Sequence, residues 1–278
     1  KPLVFAFQAN IYAILIAKLL NVKIITRSNT APSGWYHSAF KNIIYKIFIN
    51  FADDVMVNST IFKKEFDKKY NIKTECIYNL FDKKKVNLEL KKNIKIDFFQ
   101  KKELNILTVG RLTEQKDHLT ILKSINTLKS KFNFRLIIIG SGEKKNLLLN
   151  FIYENNLQKK VKLIGFKKNP YPYIKKSDII ILSSKYEGLP NILLEAQFLK
   201  KYIISTNCPT GPKEILMNGL AGDLVKIGDY KKIATLISIF KKRKNKIKKK
   251  IKIGYKNFYR FDYLTNCKKY LNFVTRNF

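Results

Sequence analysis

Ile179-Ile180-Ile181-Leu182-Ser183-Ser184-Lys185-Tyr186-Glu187-Gly188-Leu189-Pro190-Asn191 is the stretch from which the architecture of this chain is read. It opens with an aliphatic run too short for a helix and without polar alternation, the pattern of a strand buried on both faces. A polar segment with a glycine follows. Helical spacing then takes over from Asn191 to Phe198, with Pro190 at the first turn, where its missing N–H does no harm. Strand, loop and helix in that order are half of a parallel βαβ unit.

The same alternation continues in both directions. Downstream, 202–206 reads as a strand and 230–240 as a helix. Upstream lie strands at 104–109, 135–139 and 161–164, with helical spacing at 117–130 and 144–154. A second series fills the beginning of the chain: strands at 3–7, 22–26, 54–58 and 75–78, and helices at 10–20 and 38–51. Its last helix is capped by Ser59-Thr60 and runs to about Tyr70. Between the two series, 82–100 is Lys-rich and broken. The fold expected is therefore α/β, with two doubly wound Rossmann-like domains. We place an N-terminal domain at 1–82, a linker or domain edge at 83–102 and a C-terminal domain at 103–257. Residues 258–278 are expected to return to the first domain.

Composition narrows the class. The chain has 278 residues, 46% of them aliphatic or aromatic, and 55 Lys+Arg against 20 Asp+Glu, a formal charge of +35. So much apolar content excludes a disordered polycation. Three scattered Cys in so long a chain exclude a disulfide scaffold and fit reduced thiols in a cytoplasm. Two isolated His suggest no zinc site. No segment reaches the ~18 apolar residues of a membrane helix. The positive field favours an anionic partner. Abundant Lys, Ile, Asn, Phe and Tyr also fit A- and T-rich codons, and the sequence leaves both origins of the charge open. The chain opens at Lys1 without Met, just before a strand, so an N-terminal piece is expected to be missing.

In parallel sheets, ligands bind beyond the carboxyl ends of the strands, so chemistry is sought in the loops after them. After the 179–183 strand, Glu187 lies in the loop and Gly188 admits close approach of a ligand. The helix start offers free N–H groups to an anion. Glu195 stands one turn or so further on, so both carboxylates can face one pocket. After the 104–109 strand, Gly110-Arg111-Leu112 provides a guanidinium fork and Lys116 a mobile ammonium. Two cations and a helix N-terminus suit a diphosphate leaving group; a carboxylate suits a ribose diol. Gly140-Ser141-Gly142-Glu143 lacks the third glycine of a dinucleotide fingerprint and reads as a turn and helix start. His118 reads as part of a helix's first turn.

Gly110-Arg111-Leu112 with Gln115-Lys116, and Glu187 with seven residues between it and Glu195, resemble the retaining glycosyltransferases of family 4. Their fold, GT-B, sets two Rossmann-like domains face to face across a cleft. Ser177-Asp178-Ile179, Ser205-Thr206-Asn207-Cys208-Pro209, Gly211-Pro212-Lys213-Glu214-Ile215 and Gly228-Asp229 extend the likeness. Ala52-Asp53-Asp54, Asn58-Ser59 and Ile77-Tyr78-Asn79 carry it into the first half. The resemblance implies a metal-independent, cofactor-free hexosyltransferase that takes a nucleotide diphosphate sugar, a UDP-sugar, and transfers to a glycan or lipid-linked acceptor. Surface polysaccharide, lipopolysaccharide or glycoprotein glycan synthesis is the setting implied. Glu187 would lie against the donor sugar, with Arg111 and Lys116 neutralising the departing diphosphate. Gly110, Gly188, Leu189, Pro190 and Asn191 would line the donor, Glu195 would hold the ribose hydroxyls, and Phe166 would lie near the base. Arg27, Asn29 and His37 are the acceptor-side candidates.

Two rivals remain at this level. One is another GT-B enzyme, such as a UDP-N-acetylglucosamine 2-epimerase, whose arrangement of carboxylates and His is not seen here. The other is a basic nucleic-acid-binding protein, which no motif supports, so no specific nucleic acid is expected. The run 241–256 holds ten basic residues and no acid. It reads either as a solvated helix face or as a patch for an anionic membrane surface, each basic residue adding about 1 kcal/mol. The location expected is cytoplasmic, peripheral on the inner face of the cytoplasmic membrane.

Overall fold

A computed structural model of the protein describes residues 2–7, 10–29, 39–92 and 94–276. The first lobe contains β1 (Leu3–Ala6), α1 (Asn10–Leu19), β2 (Lys23–Ser28), α2 (Ala39–Ile49), β3 (Asp54–Val57), α3 (Thr60–Tyr70) and β4 (Glu75–Cys76). All four strands are parallel and run in chain order, β1-β2-β3-β4. Strand alternation sends Ile24, Val55 and Val57 to one face, where Ile14, Tyr45, Ile49, Phe62 and Phe66 from the three helices bury them. Ile25, Met56 and Ile77 point the other way. Asp53 pins the sheet's lower edge: its Oδ2 accepts from Ile24 N at 2.7 Å and from Lys18 Nζ at 2.8 Å.

The chain then passes through α4 (Lys83–Lys91) into the second lobe. That lobe comprises β5 (Leu104–Val109), α5 (His118–Asn126), β6 (Phe134–Ile139), α6 (Lys145–Glu154), β7 (Val161–Leu163), α7 (Tyr171–Lys176), β8 (Ile179–Leu182), α8 (Asn191–Phe198), β9 (Tyr202–Thr206), α9 (Pro212–Ile215), β10 (Asp223–Val225), α10 (Tyr230–Ser238) and α11 (Lys244–Lys256). Its six parallel strands are ordered β10-β9-β8-β5-β6-β7. Both faces are covered. Ile106, Leu136, Ile138, Ile179, Ile181 and Ile204 pack under α5, α6 and α10; Leu107, Ile137, Ile139, Ile180, Leu182 and Ile203 pack under α7 and α8. The unbroken aliphatic runs are thereby explained, since successive residues feed two different cores.

One expectation changes. The stretch 83–102 is not a loose connection: Asp82 caps α4 by accepting from Lys85 N at 2.9 Å. Phe81, Val86 and Ile96 are buried in the core of the second lobe. Lysines on the exposed face of α4 masked an ordinary amphipathic repeat, Val86 and Leu90 one turn apart. The basic run near the end is α11, seated through Ile247 and through Gly254, where a Cβ would stand 3.0 Å from Gln197 Nε2. Arg243 and Lys250 within it are tied to Asp223, each at 3.5 Å, while the other eight basic residues are exposed.

The final helix, α12 (Tyr263–Thr275), crosses back to the first lobe. There Phe273 closes the second face of the sheet over Ile25, Met56 and Ile77, and Arg276 pairs with Asp54 at 3.4 Å. The two crossings lie side by side, joined by a bridge between Phe81 and Asp262 and by Lys83 Nζ on Asp262 at 3.3 Å. No helix among the described residues is long and apolar enough to cross a membrane.

Candidate active site

The order of the second sheet decides where a ligand fits. From β5 the chain winds outward through β6 and β7, then returns to β8 on the other side of β5 and winds away through β9 and β10. The crevice beyond the carboxyl ends of β5 and β8 is therefore the topological switch point. The β5 loop carries Gly110, Arg111 and Lys116, and the β8 loop carries Glu187 to Asn191. The two loops chosen from the sequence are the two that the topology brings together.

The loops are stitched to each other. Gln115 Nε2 donates to Tyr186 O at 2.9 Å, and Lys185 N donates to Gln115 O at 2.8 Å. Ser183 Oγ donates to Lys116 O and Asp117 O at 2.9 and 2.8 Å. At the centre, Lys116 Nζ meets Glu187 Oε1 at 2.5 Å, and Ser184 Oγ donates to the same oxygen at 2.6 Å. Both side chains are largely withdrawn from water, Glu187 at 6% exposure. A buried ion pair with excellent geometry holds its members in place even where it adds little net stability. Arg111 is exposed, steadied among the described residues by Nη2 on Gln115 Oε1 at 3.1 Å, and so remains able to meet an anion.

Beneath the β5 loop lie groups that the sequence reading did not assign to the site. Gly140 has φ +154°, and a Cβ there would fall 1.8 Å from Gly110 O; one at Gly142 would fall 2.5 Å from Leu112 O. The Gly140-Ser141-Gly142 turn thus stacks directly under the Arg111 turn, with Leu112 N donating to Ser141 O at 2.8 Å. His118 opens α5 as expected and is buried. Its Nε2 lies 3.2 Å from Arg111 O and its Nδ1 3.4 Å from Thr108 Oγ1. Burial pushes the imidazole down to about 4, so it is neutral at physiological pH and donates to the Arg111 carbonyl.

Pro190 proves to be the N-cap of α8, one position earlier than read, and no side chain caps that helix. The first N–H groups, those of Asn191 and Ile192, point beyond the sheet without a partner among the described residues, as an anion site requires. Glu195 is half-buried in α8 with no hydrogen-bond or ion-pair partner among the described residues. Burial alone pushes it up to about 7. The nearby Tyr171 hydroxyl is raised to about 12, by its own burial and then by Glu195. A desolvated carboxylate without compensation is costly in the empty protein and suits a hydroxyl-bearing ligand. Phe166 is 72% exposed, directly after Gly165, whose carbonyl accepts from Gly140 N at 3.0 Å. It therefore stands at the same rim.

The first lobe meets this rim. A Cβ on Gly188 would come within 1.9 Å of Asn29 O, so the space kept open by this glycine is filled by the other lobe's backbone. Asn29 thus reaches the cleft. Arg27 does not point freely into it: its Nη2 donates to Asn79 Oδ1 at 2.7 Å and its guanidinium lies between Phe7 and Tyr270. Asn79 in turn donates to Leu189 O at 3.0 Å and to Asn191 Oδ1 at 2.7 Å, engaging part of the backbone expected to line the donor. His37 lies outside the described residues. Among those described, no three His, Cys, Asp or Glu side chains converge.

Residues 89–257 match the family model described as glycosyl transferases group 1. An uncharacterized glycosyltransferase of Methanocaldococcus jannaschii is 38% identical over 183 residues, 63% of this chain and 44% of the relative. The Campylobacter jejuni N-acetylgalactosamine-N,N'-diacetylbacillosaminyl-diphospho-undecaprenol 4-alpha-N-acetylgalactosaminyltransferase is 28% identical over 274 residues, 94% of this chain and 73% of that enzyme. Among solved structures, Anabaena HepE in complex with UDP superimposes with a TM-score of 0.82 at 17% identity, covering 99% of this chain and 78% of that one. The architecture is GT-B.

Proposed function

Because this chain belongs to the group 1 glycosyl transferases, we propose that it is a retaining hexosyltransferase of the family 4 type, moving a sugar from a UDP-sugar to a glycan or lipid-linked acceptor. The observation that carries the reading is the buried Lys116–Glu187 pair at the switch point, 2.5 Å apart, with the exposed Arg111 on the same β5 loop. As the sugar–phosphate bond lengthens, negative charge grows on the diphosphate and positive charge on the sugar ring. Arg111, Lys116 and the free N–H groups of α8 answer the first; Glu187, fixed by Lys116 and Ser184, answers the second. Fixed charges of this kind act without reorganising at the moment of reaction, each contributing on the order of 10²–10³ in rate. Glu195 accepts the ribose hydroxyls and Phe166 offers a face to the base. We assign no cofactor; neutralisation of the leaving group falls to the two cations.

The Campylobacter relative is named for transfer to a diphospho-undecaprenol-linked glycan. That supports a lipid-linked acceptor, surface or glycoprotein glycan synthesis as the setting, and work at the inner face of the cytoplasmic membrane. The eight exposed basic residues of the α11 region fit an anionic surface there. The test is a panel of UDP- and GDP-sugars with nucleotide release as readout, on the wild type and on Glu187→Ala. We expect saturable release with one UDP-sugar, lost in the variant. Unchanged turnover in Glu187→Ala would overturn the site assignment, and no response to any donor would overturn the activity.

A further inference from the structure

Several residues have no part in the donor chemistry described above: Ser59 and Thr60, Tyr78, and the segment from Thr210 to Glu214. They meet at one point between the lobes. Glu214, from α9 of the second lobe, places its carboxylate on the N-terminus of α3 in the first. Its Oε1 accepts from Thr60 N at 3.0 Å, Thr60 Oγ1 at 2.7 Å and Tyr78 OH at 2.5 Å; its Oε2 accepts from Ile61 N at 3.2 Å. Ser59 Oγ takes the next donor, Phe62 N, at 3.0 Å. The exposed amides of the α3 N-terminus are thus satisfied jointly by a local cap and by a carboxylate from across the cleft, with the helix dipole adding to the attraction. Four donors on one carboxylate, three from the α3 N-terminus of the opposite lobe and one from Tyr78 in the connection after β4, make a strong, directional contact.

The segment just before Glu214 in the chain leans on the donor loop. Three residues earlier, Gly211 packs so closely that a Cβ would stand 2.0 Å from Gly188 O. Thr210, a β-branched residue held at φ +67°, donates through Oγ1 to Glu187 O at 2.5 Å and to Gly188 O at 3.3 Å. Strain at such a position persists only where surrounding contacts impose it. Gly188 rests on the Asn29 backbone of the first lobe. The contacts form a closed circuit: α3, Glu214, Gly211 and Thr210, the Glu187 loop, Asn29, and back to the first sheet. Arg260 braces it from behind, donating to the carbonyls of Glu214 and Ile215, each at 3.3 Å.

We propose that Glu214 is a positioning residue that latches the two lobes and holds the Glu187 loop in register with the acceptor-side lobe. It does not touch the donor crevice, so it acts on alignment of the two substrates and not on nucleotide affinity. The inference rests on the glycosyltransferase reading for its catalytic consequence, but the latch itself is testable without activity.

The experiment compares wild type, Glu214→Gln and Glu214→Ala by small-angle X-ray scattering, by thermal unfolding, by calorimetric titration with UDP and by turnover on the UDP-sugar found in the donor panel. Glu214→Ala is expected to enlarge the radius of gyration and lower kcat at least about tenfold, while the Kd for UDP stays within about twofold. Glu214→Gln keeps the oxygen that takes three of the donors but faces Ile61 N–H with an amide, so it falls between the two. If Glu214→Ala does not fold, Tyr78→Phe, which removes one donor and leaves the carboxylate, carries the same comparison. A lowered Tm with scattering and kcat unchanged would reduce Glu214 to a helix cap and overturn the latch; so would wild-type behaviour throughout. Failure of the wild type to bind UDP would strike the donor reading instead, with the scattering comparison still deciding the latch.

Discussion

The two lobes share a construction, parallel strands under helices, yet divide the work unequally. In the second lobe the strand order reverses between β5 and β8; the loops at that reversal carry Arg111, Lys116 and Glu187, and the helix that follows carries Glu195. Among the described residues of the first lobe, the four strands follow chain order, β1-β2-β3-β4. Its rim residues, Asn29, Arg27, Asn79 and the α3 N-terminus, are spent on contacts with the second lobe or with α12. A switch point concentrates strand ends and helix starts around one crevice, whereas a sheet wound in one direction offers a rim. On the proposed function the chemistry belongs to one lobe and alignment to the other, and variants in the two should fail differently.

The largest expected effect breaks the second lobe's centre. Lys116→Ala should lower transfer by about three orders of magnitude, since it removes a leaving-group cation and leaves the Glu187 carboxylate buried with Ser184 as its one remaining donor among the described residues. Steady-state rates at saturating donor check this; a loss under tenfold would mean that the pair is structural.

Next come two glycines that separate the lobes' roles. Gly140→Ala forces a Cβ to within 1.8 Å of Gly110 O inside the second lobe, at a φ that L-residues avoid. It should cost at least about 3 kcal/mol of stability, read by denaturant midpoint. Gly188→Ala makes an equally short approach, 1.9 Å, but to Asn29 O across the cleft. The lobes can move apart to relieve it. We expect a Tm near wild type and turnover reduced at least about tenfold. Equal loss of stability in both variants would contradict the division of labour.

How much of this was legible in the sequence depends on the range of the interactions. Strand runs, caps and the two donor loops are local patterns, and Glu187, Arg111 and Lys116 could be chosen because strand-end loops are where parallel sheets bind ligands. Gly140 and Gly142 were visible as residues, but their role depends on loops 30 positions apart coming into contact, and that of His118 on its ring turning back under the Arg111 turn, neither of which a local period encodes. Glu214 and its α3 partners are separated by more than 150 positions. The misread segment at 83–91 had both signals of a helix, Asp82 as cap and Val86 with Leu90; its lysines outweighed them because charge was taken for solvent exposure along the whole stretch.

His118 gives the third effect, and it tracks pH. Its folded value near 4 lies below the 6.5 of a free imidazole, so the unfolded chain binds the proton more readily between those values. Stability is therefore complete above about pH 6.5 and falls as pH drops towards 4, by up to about 3 kcal/mol. Unfolding free energies measured from pH 8 to 4 should show the slope, and His118→Asn should remove it while unsettling the Arg111 turn.

Glu195 supplies the smallest effect, of opposite sign. Burial raises its carboxyl to about 7 from 4.5, so the folded protein holds the proton more tightly. Its contribution is full below about pH 4.5 and is lost as pH rises through 7, a loss of about 1–2 kcal/mol once partial solvent access is discounted. Glu195→Gln should consequently be more stable than wild type at pH 8 in the absence of nucleotide, with no difference at pH 4.5. UDP should reverse the ranking at pH 8, because the carboxylate then gains the ribose hydroxyls that its burial was missing. A variant less stable than wild type at both pH values, with UDP affinity unchanged, would show that Glu195 is a packing residue of α8. The donor subsite would then be built by the β5 and β8 loops without the α8 carboxylate, and the asymmetry between the lobes would rest on Arg111, Lys116 and Glu187.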